Sequence, residues 1–148
     1  APNVMWGTDG VRVFTLDHGW VWVFAAVEHW NAECVGWHVC KKGDRFAALE
    51  PIKMGLARLY GSTAAGAARG LALRMDHGTQ YLSDHFTNQI KFWGIAPSYS
   101  FVAEPQGNGV VERFNRTLKE QVIHGRIYRN LDELRDAVRL FVGRYNDQ

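Results

Sequence analysis

Eight consecutive residues, Trp20-Val21-Trp22-Val23-Phe24-Ala25-Ala26-Val27, carry no charged side chain and no hydroxyl. A strand points successive side chains to opposite faces, so a run that is apolar at every position needs cover on both. The run is far short of the roughly 20 residues that span a bilayer, so the cover has to come from the chain itself. A sheet with one wet face is therefore excluded, and helices are expected on both faces. With 148 residues, 47% of them hydrophobic and 22% charged, there is enough chain for one packed domain and little for a second. No basic-then-apolar signal opens the sequence, and the reading is a soluble, cytoplasmic protein with no membrane partner.

The neighbouring segments extend the pattern. Val4 to Leu16 alternates loosely, with Met5, Val11 and Val13 on one side and Trp6 and Phe14 on the other, and predicts a first strand. Asp17-His18-Gly19 turns the chain into the covered strand, and a second turn near Trp30-Asn31-Ala32 leads to a third strand, Cys34 to Cys40. Short connections make the three an antiparallel meander. After Lys41-Lys42-Gly43 the period becomes helical: Asp44 is a plausible N-cap, and Phe46, Leu49, Ile52, Leu56 and Leu59 follow. Pro51 either kinks this helix or marks its start. The small residues 61–70 read as a flexible connector before a fourth strand, Leu71 to Met75. Ser83 caps a helix through Phe86, Ile90 and Trp93 that Gly94 stops, and Ile95 to Tyr99 is a fifth strand. The last third is helical, with one stripe at Val111, Phe114, Leu118 and Val122 and another at Leu131, Leu134, Val138, Phe141 and Tyr145. The second stripe either packs into the core or faces a partner helix. The sum is an α/β fold with a five-stranded mixed sheet, a three-strand meander plus two parallel strands.

Asp9 interrupts the first strand between Thr8 and Gly10, where local propensity gives no reason for an acid. Asp76 closes the fourth strand, and Glu112 opens a helix just after a glycine-rich loop. In open α/β sheets such positions converge at the ligand crevice. Three acids at one point repel one another unless cations bind, and hard oxygen donors suit Mg²⁺ or Mn²⁺, two of which can clamp the attacking and leaving oxygens of a phosphodiester. The plain alternative is that each acid is a helix cap, a turn residue or a surface carboxylate.

Spacing makes the set specific, because 35 residues separate Asp76 from Glu112. The sequence here resembles the integrase catalytic core shared by retroviral integrases and bacterial insertion-sequence transposases, whose signature is Asp, Asp and Glu with about that gap. The resemblance runs from Trp6-Gly7-Thr8-Asp9 through Val35-Gly36-Trp37 and Asp76-His77-Gly78-Thr79-Gln80-Tyr81 to Gly107-Asn108-Gly109-Val110-Val111-Glu112-Arg113-Phe114-Asn115-Arg116-Thr117-Leu118-Lys119-Glu120. It implies an RNase H-like fold, Asp9, Asp76 and Glu112 as catalytic metal ligands, two Mg²⁺ or Mn²⁺ ions, and phosphoryl transfer at DNA ends. In that family water frees a 3′-hydroxyl at the element end, and the hydroxyl then attacks target DNA; no protein nucleophile is required. DNA, as element end and target, is the implied partner, together with a second copy or more of the chain, in a bacterial cytoplasm or nucleoid.

Helical steps of 100° place Arg116 and Lys119 on either side of Glu112 on one face. They resemble the basic positions that hold the DNA end in the family; an ion pair of Arg116 with Glu112 or Glu120 is the simpler reading. Asn108, with Pro105, matches the family's Pro-x-x-Asn-x-x-x-Glu pattern and, counted with the DNA-binding residues, either orients the metal-bound oxygen or Glu112 or caps the helix. The loop from Phe101 to Gly109 resembles the mobile active-site loop. His77 either touches substrate or metal-bound water, or fills the turn beside Asp76.

Departures from the family are Glu28-His29-Trp30-Asn31-Ala32 in place of Asp-x-x-Ser-Arg, Met75 in place of serine, and Gln121 where glutamate often stands. The first of these reads as structural. Cys34 and Cys40, six apart on one strand and roughly 20 Å from each other, cannot bridge and read as reduced buried thiols. With His38 they would share one face, too spread out for a zinc cage.

Residues 1–148 are thus expected to form one catalytic domain of an integrase-like transposase, a piece of a longer protein. Its alternatives are a hydrolytic nuclease of the same fold and an inactive core that binds DNA or assembles with itself. The overall charge of +2 divides unevenly: residues 1–112 carry nine basic and ten acidic groups, residues 113–148 eight and five. The basic surplus begins on the helix of Glu112.

Overall fold

β1 (Met5–Thr15) is the hub of the sheet. In the computed structural model, which describes residues 1–100 and 108–148, it pairs antiparallel with β2 (Gly19–Glu28) and parallel with β4 (Ala72–Met75). β3 (Cys34–Cys40) joins β2 antiparallel and β5 (Ala96–Tyr99) joins β4 parallel, giving the order β3-β2-β1-β4-β5. This is the mixed sheet the sequence predicts, a meander carrying two parallel strands.

The doubly apolar strand is covered as its composition requires. Phe24 and Ala26 face one core with Trp6, Val35, Leu73 and Met75, closed by α1 (Arg45–Leu59), α2 (Thr79–Leu82) and α3 (Asp84–Phe92). Val21, Val23, Ala25 and Val27 face the other with Val11 and Val13, under α4 (Gly109–Leu118) and α5 (Leu131–Asn146). Trp20 alone in the run is exposed.

Local signals act where expected. The Asp44 carboxylate accepts from the backbone N–H groups of Phe46 and Ala47 and starts α1. Pro51 lies inside α1, so it does not mark the start. Its carbonyl oxygen would lie 1.9 Å from a Cβ at Gly36, so the glycine lets helix and strand touch. Ser83 caps α3, and Gly94 ends it with φ of +88°.

Two expectations change, one element is added and one open alternative is settled. The connector 61–70 is tied down: Gly66 and Ala68 N–H donate to the carbonyls of Phe92 and Trp93, and Ala68 is fully buried. Its small residues serve close packing and left-handed turns at Gly61, Gly66 and Gly70. α2 follows Gly78 immediately, a four-residue turn too short to show a period. Cys34 and Cys40 do not share a face. The β2–β3 register shifts between Ala26 and Val27, leaving Val35 as an extra residue, so Cys34 joins the α5-side core while Cys40, only half-buried, packs on the α1 side. Finally, the α5 stripe is spent internally: Leu134, Val138 and Phe141 are buried, and Phe114 meets the Tyr145 ring edge-on at 5.0 Å.

Candidate active site

β1 has eleven residues and β4 only four, and they pair only from Met5 to Gly7. Among the described residues no strand lies beside β1 on the β4 side from Thr8 to Phe14, and an isolated bridge joins Thr15 to Tyr128. Asp9 stands in that opening, on the face of β1 that Val11 and Val13 turn toward α4.

The Asp9 carboxyl is pushed up from an ordinary 3.8 to about 6. Burial is the largest cause, eased by the Gly10 N–H; the charges of Asp76 and Glu112 raise it further and that of Lys119 lowers it. Asn115, on the turn of α4 after Glu112, is buried and donates from Nδ2 to Asp9 Oδ2 at 3.2 Å. Asp76, just past β4, is exposed and accepts from the Gly78 N–H at 2.7 Å. Glu112, exposed in the first turn of α4, lines an open crevice with Asp9, Arg12, Asn115, Arg116 and Lys119. Asp76 is outside the residues lining that crevice, although its charge reaches Asp9.

Arg116 and Lys119 make no ion pair within 4 Å among the described residues, so the simpler reading of Arg116 as a partner of Glu112 or Glu120 does not hold. α4 passes at Lys119 into a π-helical turn, Lys119–Ile123. Both cations are exposed beside the acids. His77 is exposed in the turn after Asp76 and stacks on Tyr99, ring centroids 5.4 Å apart.

The expectation that the Asn108 side chain caps the helix does not hold. Asn108 is buried, its side chain caps no N–H of α4, and its Nδ2 donates to the carbonyls of Thr8 and Arg74 at 3.1 and 3.3 Å. It bridges β1 and β4, the strands beside Asp9 and Asp76. Pro105 and the rest of the expected active-site loop through Gly107 lie outside the described residues.

The departing segment is structural. Glu28, 2% exposed, accepts from Trp6 Nε1 and from the Asn3 and Trp30 N–H groups. Met75, where the family has serine, is a fully buried core residue. Asn115 is not singled out by the sequence, where its signal is a polar residue three positions after Glu112 on an otherwise apolar stripe; Arg12, on the opposite face of β1 from Asp9, sets its guanidinium over Trp20.

The donors offered to a metal are all carboxylate oxygens, and the half-buried Asp9 beside two further acids is a group that a divalent cation would ionise. Among the described residues no three acids, histidines or cysteines are already gathered into a cage. The donor chemistry therefore fits a hard divalent cation, with Asp9 as its centre.

Residues 1–105 match the family model described as integrase core domain, and a second model of that description matches residues 93–148. The chain belongs to the integrase core family. Curated relatives include the transposase InsF for insertion sequence IS3A of Escherichia coli K12, 26% identical over 93% of this chain and 45% of that protein. The transposase for insertion sequence element IS629 of Shigella sonnei is 26% identical over 99% of this chain and 47% of that protein. The chain thus spans about half the length of the curated relatives it matches.

Among solved structures, the integrase core resembles the catalytic core domain of BIV integrase, with a TM-score of 0.59 and 22% identity over 81% of this chain and 69% of that one. It also resembles the HTLV-2 integrase catalytic core in complex with magnesium, in its trimeric form, with a TM-score of 0.64 and 18% identity over 93% and 83% of the two chains. These likenesses give the integrase core its fold, which is RNase H-like.

Proposed function

We propose that this integrase core performs divalent-metal-dependent phosphoryl transfer on DNA, cleaving element ends and joining them to a target, as the names of its transposase relatives suggest. The observation that carries the reading is the crevice in which Asp9 and Glu112 stand beside Arg116 and Lys119. Asp76 and Glu112 both act on Asp9 across the break between β1 and β4, and Lys119 acts on it from the opposite sign.

Asp9, Asp76 and Glu112 would hold Mg²⁺ or Mn²⁺, two ions in the fullest form, which supply Lewis acidity and charge neutralisation at the scissile phosphate. The chain's own residues do the rest. Asn115 fixes the rotamer of Asp9 by donating to it, and Asn108 holds β1 and β4 at the separation that sets Asp9 against Asp76. Lys119 and Arg116 meet backbone phosphates beside the acids. His77, exposed beside Asp76, faces the same strand of DNA. The nucleophile comes from water or a DNA 3′-hydroxyl. Burial pushes the Cys34 thiol up to about 12 and the Cys40 thiol to about 11, so neither offers a thiolate at neutral pH.

Joining two ends in concert calls for at least two copies of the chain; the HTLV-2 integrase core is known in dimeric and trimeric forms. Among the described residues no helix is long and apolar enough to cross a membrane.

The test is incubation of the protein with labelled element-end DNA and Mn²⁺, alone and as Asp76→Asn. Nicked and joined products that Asp76→Asn reduces by orders of magnitude support the reading. Nicking without joining supports a nuclease, a mobility shift without either a binding module, and wild-type rates in Asp76→Asn would overturn the site.

A further inference from the structure

The metal donors and cations leave one polar group near the site without a role. His29, half-buried at the end of β2, reaches back over β1, and among the described residues its Nε2 has no partner of strict hydrogen-bonding geometry. Asn108 Oδ1 is in the same condition. Both atoms crowd the α carbon of Gly7: a Cβ there would lie 2.1 Å from Asn108 Oδ1 and 2.9 Å from His29 Nε2. They are complementary in kind, since an amide oxygen only accepts and a neutral imidazole can place its one proton on Nε2. The Asn108 amide raises the proton affinity of the imidazole, against the larger effect of burial, which lowers it.

Gly7 precedes Asp9 by two residues and so lies on the same face of β1, about 7 Å along the strand. Asn108 is the residue through which the three acid-bearing segments meet. Its Nδ2 holds the carbonyl of Thr8, which precedes Asp9, and that of Arg74, two residues before Asp76. Its own carbonyl accepts from the Glu112 N–H at 2.9 Å. A terminal amide can exchange its oxygen and nitrogen by a half-turn, and such a turn would set Oδ1 against two carbonyls.

We infer that His29 is a positioning residue: its Nε2–H, directed at Asn108 Oδ1, holds the amide in the one orientation that ties β1, β4 and the first turn of α4 together. The inference rests on the proposed function for its consequence, though not for its geometry. Gly7 is the space the pair needs, and His29 is the member of the departing Glu28 to Ala32 segment that touches the site.

The experiment combines kinetics with a spectrum. His29→Ala is expected to lower kcat for end joining by about 10- to 100-fold, the scale of a small misplacement of reacting groups, with KM for DNA unchanged within about twofold because Lys119 and Arg116 are untouched. His29→Gln, whose amide also offers an N–H, recovers most of the rate. In an Asn108→Ala background, His29→Ala has no further effect. Equal losses in the two backgrounds, no loss in His29→Ala, or failure of His29→Gln to recover would overturn the inference. Nitrogen-15 spectra of the imidazole, assigned by loss in His29→Gln, read the pair without catalysis. An Nε2–H tautomer whose shift moves in Asn108→Ala supports the pair, and an Nδ1–H tautomer refutes it. A wild-type protein that neither nicks nor joins DNA would defeat the proposed function, and the spectrum would still decide the pair.

Discussion

Asparagine at position 9 should make the metal-free protein more stable while removing its chemistry. The Asp9 carboxyl titrates near 6 in the fold against 3.8 when free. At about 1.36 kcal/mol per unit, ionising it in the folded state costs about 3 kcal/mol. The sign follows from linkage: an acid whose value is raised by folding binds its proton more tightly in the native state. Its contribution is therefore full below 3.8 and lost as the pH climbs through 6. Asp9→Asn has nothing to ionise, and its amide oxygen can still accept from Asn115. At pH 8 in EDTA the variant should exceed wild type by as much as about 3 kcal/mol, which for a chain of this size is about 6–12 °C in Tm. At pH 4 the advantage should shrink to about 0.5 kcal/mol. Thermal unfolding followed by circular dichroism from pH 4 to 8 measures both. Adding Mn²⁺ at pH 8 should raise the wild-type Tm and leave the variant nearly unmoved. Equal melting at pH 8, or an advantage that does not change with pH, would refute the reasoning.

Other perturbations test separate parts of the fold. Gly36→Ala drives a methyl to within 1.9 Å of the Pro51 carbonyl oxygen and should destabilise by about 3 kcal/mol in urea unfolding; a loss below about 1 would mean that α1 shifts freely. Glu28→Ala removes the acceptor of the Asn3 and Trp30 N–H groups and leaves Trp6 Nε1 only Asn3 Oδ1, and should cost about 1–3 kcal/mol by the same measure. Lys119→Ala should weaken DNA binding across sequences and lower the slope of log K against log salt by about 1, with Tm unchanged; an unaltered slope would take Lys119 off the phosphates.

What was legible in the sequence was whatever one residue type declares locally. The doubly apolar run named its two covers, Asp44 and Ser83 marked their helices, Gly94 ended one, and the spacing of Asp76 and Glu112 carried the family. Features decided by partners distant in the chain were hidden. The extra residue at Val35 reverses which way Cys34 points, and nothing near it announces a bulge. The small residues 61–70 look slack until Phe92 and Trp93 supply carbonyls for their N–H groups. Asn108 looked like a cap because it precedes a helix, yet its amide is spent on residues 100 and 34 positions away. The acids could be named from order and spacing; the asparagines that hold their strands and rotamers needed coordinates.

The shortness of the β1–β4 contact also bears on the order of folding. β1, β2 and β3 are joined by turns and can pair early, whereas Met5 meets Ala72 only after some sixty-five residues of intervening chain have been ordered. Asp9 is laid down with the first hairpin, and Asp76 reaches it only when that long crossover closes. A chain still being completed therefore carries its acids apart until β1 and β4 pair, and the proposed chemistry has to wait for that pairing. Pulsed hydrogen exchange should find the β2 and β3 amides protected before those of β4 and β5.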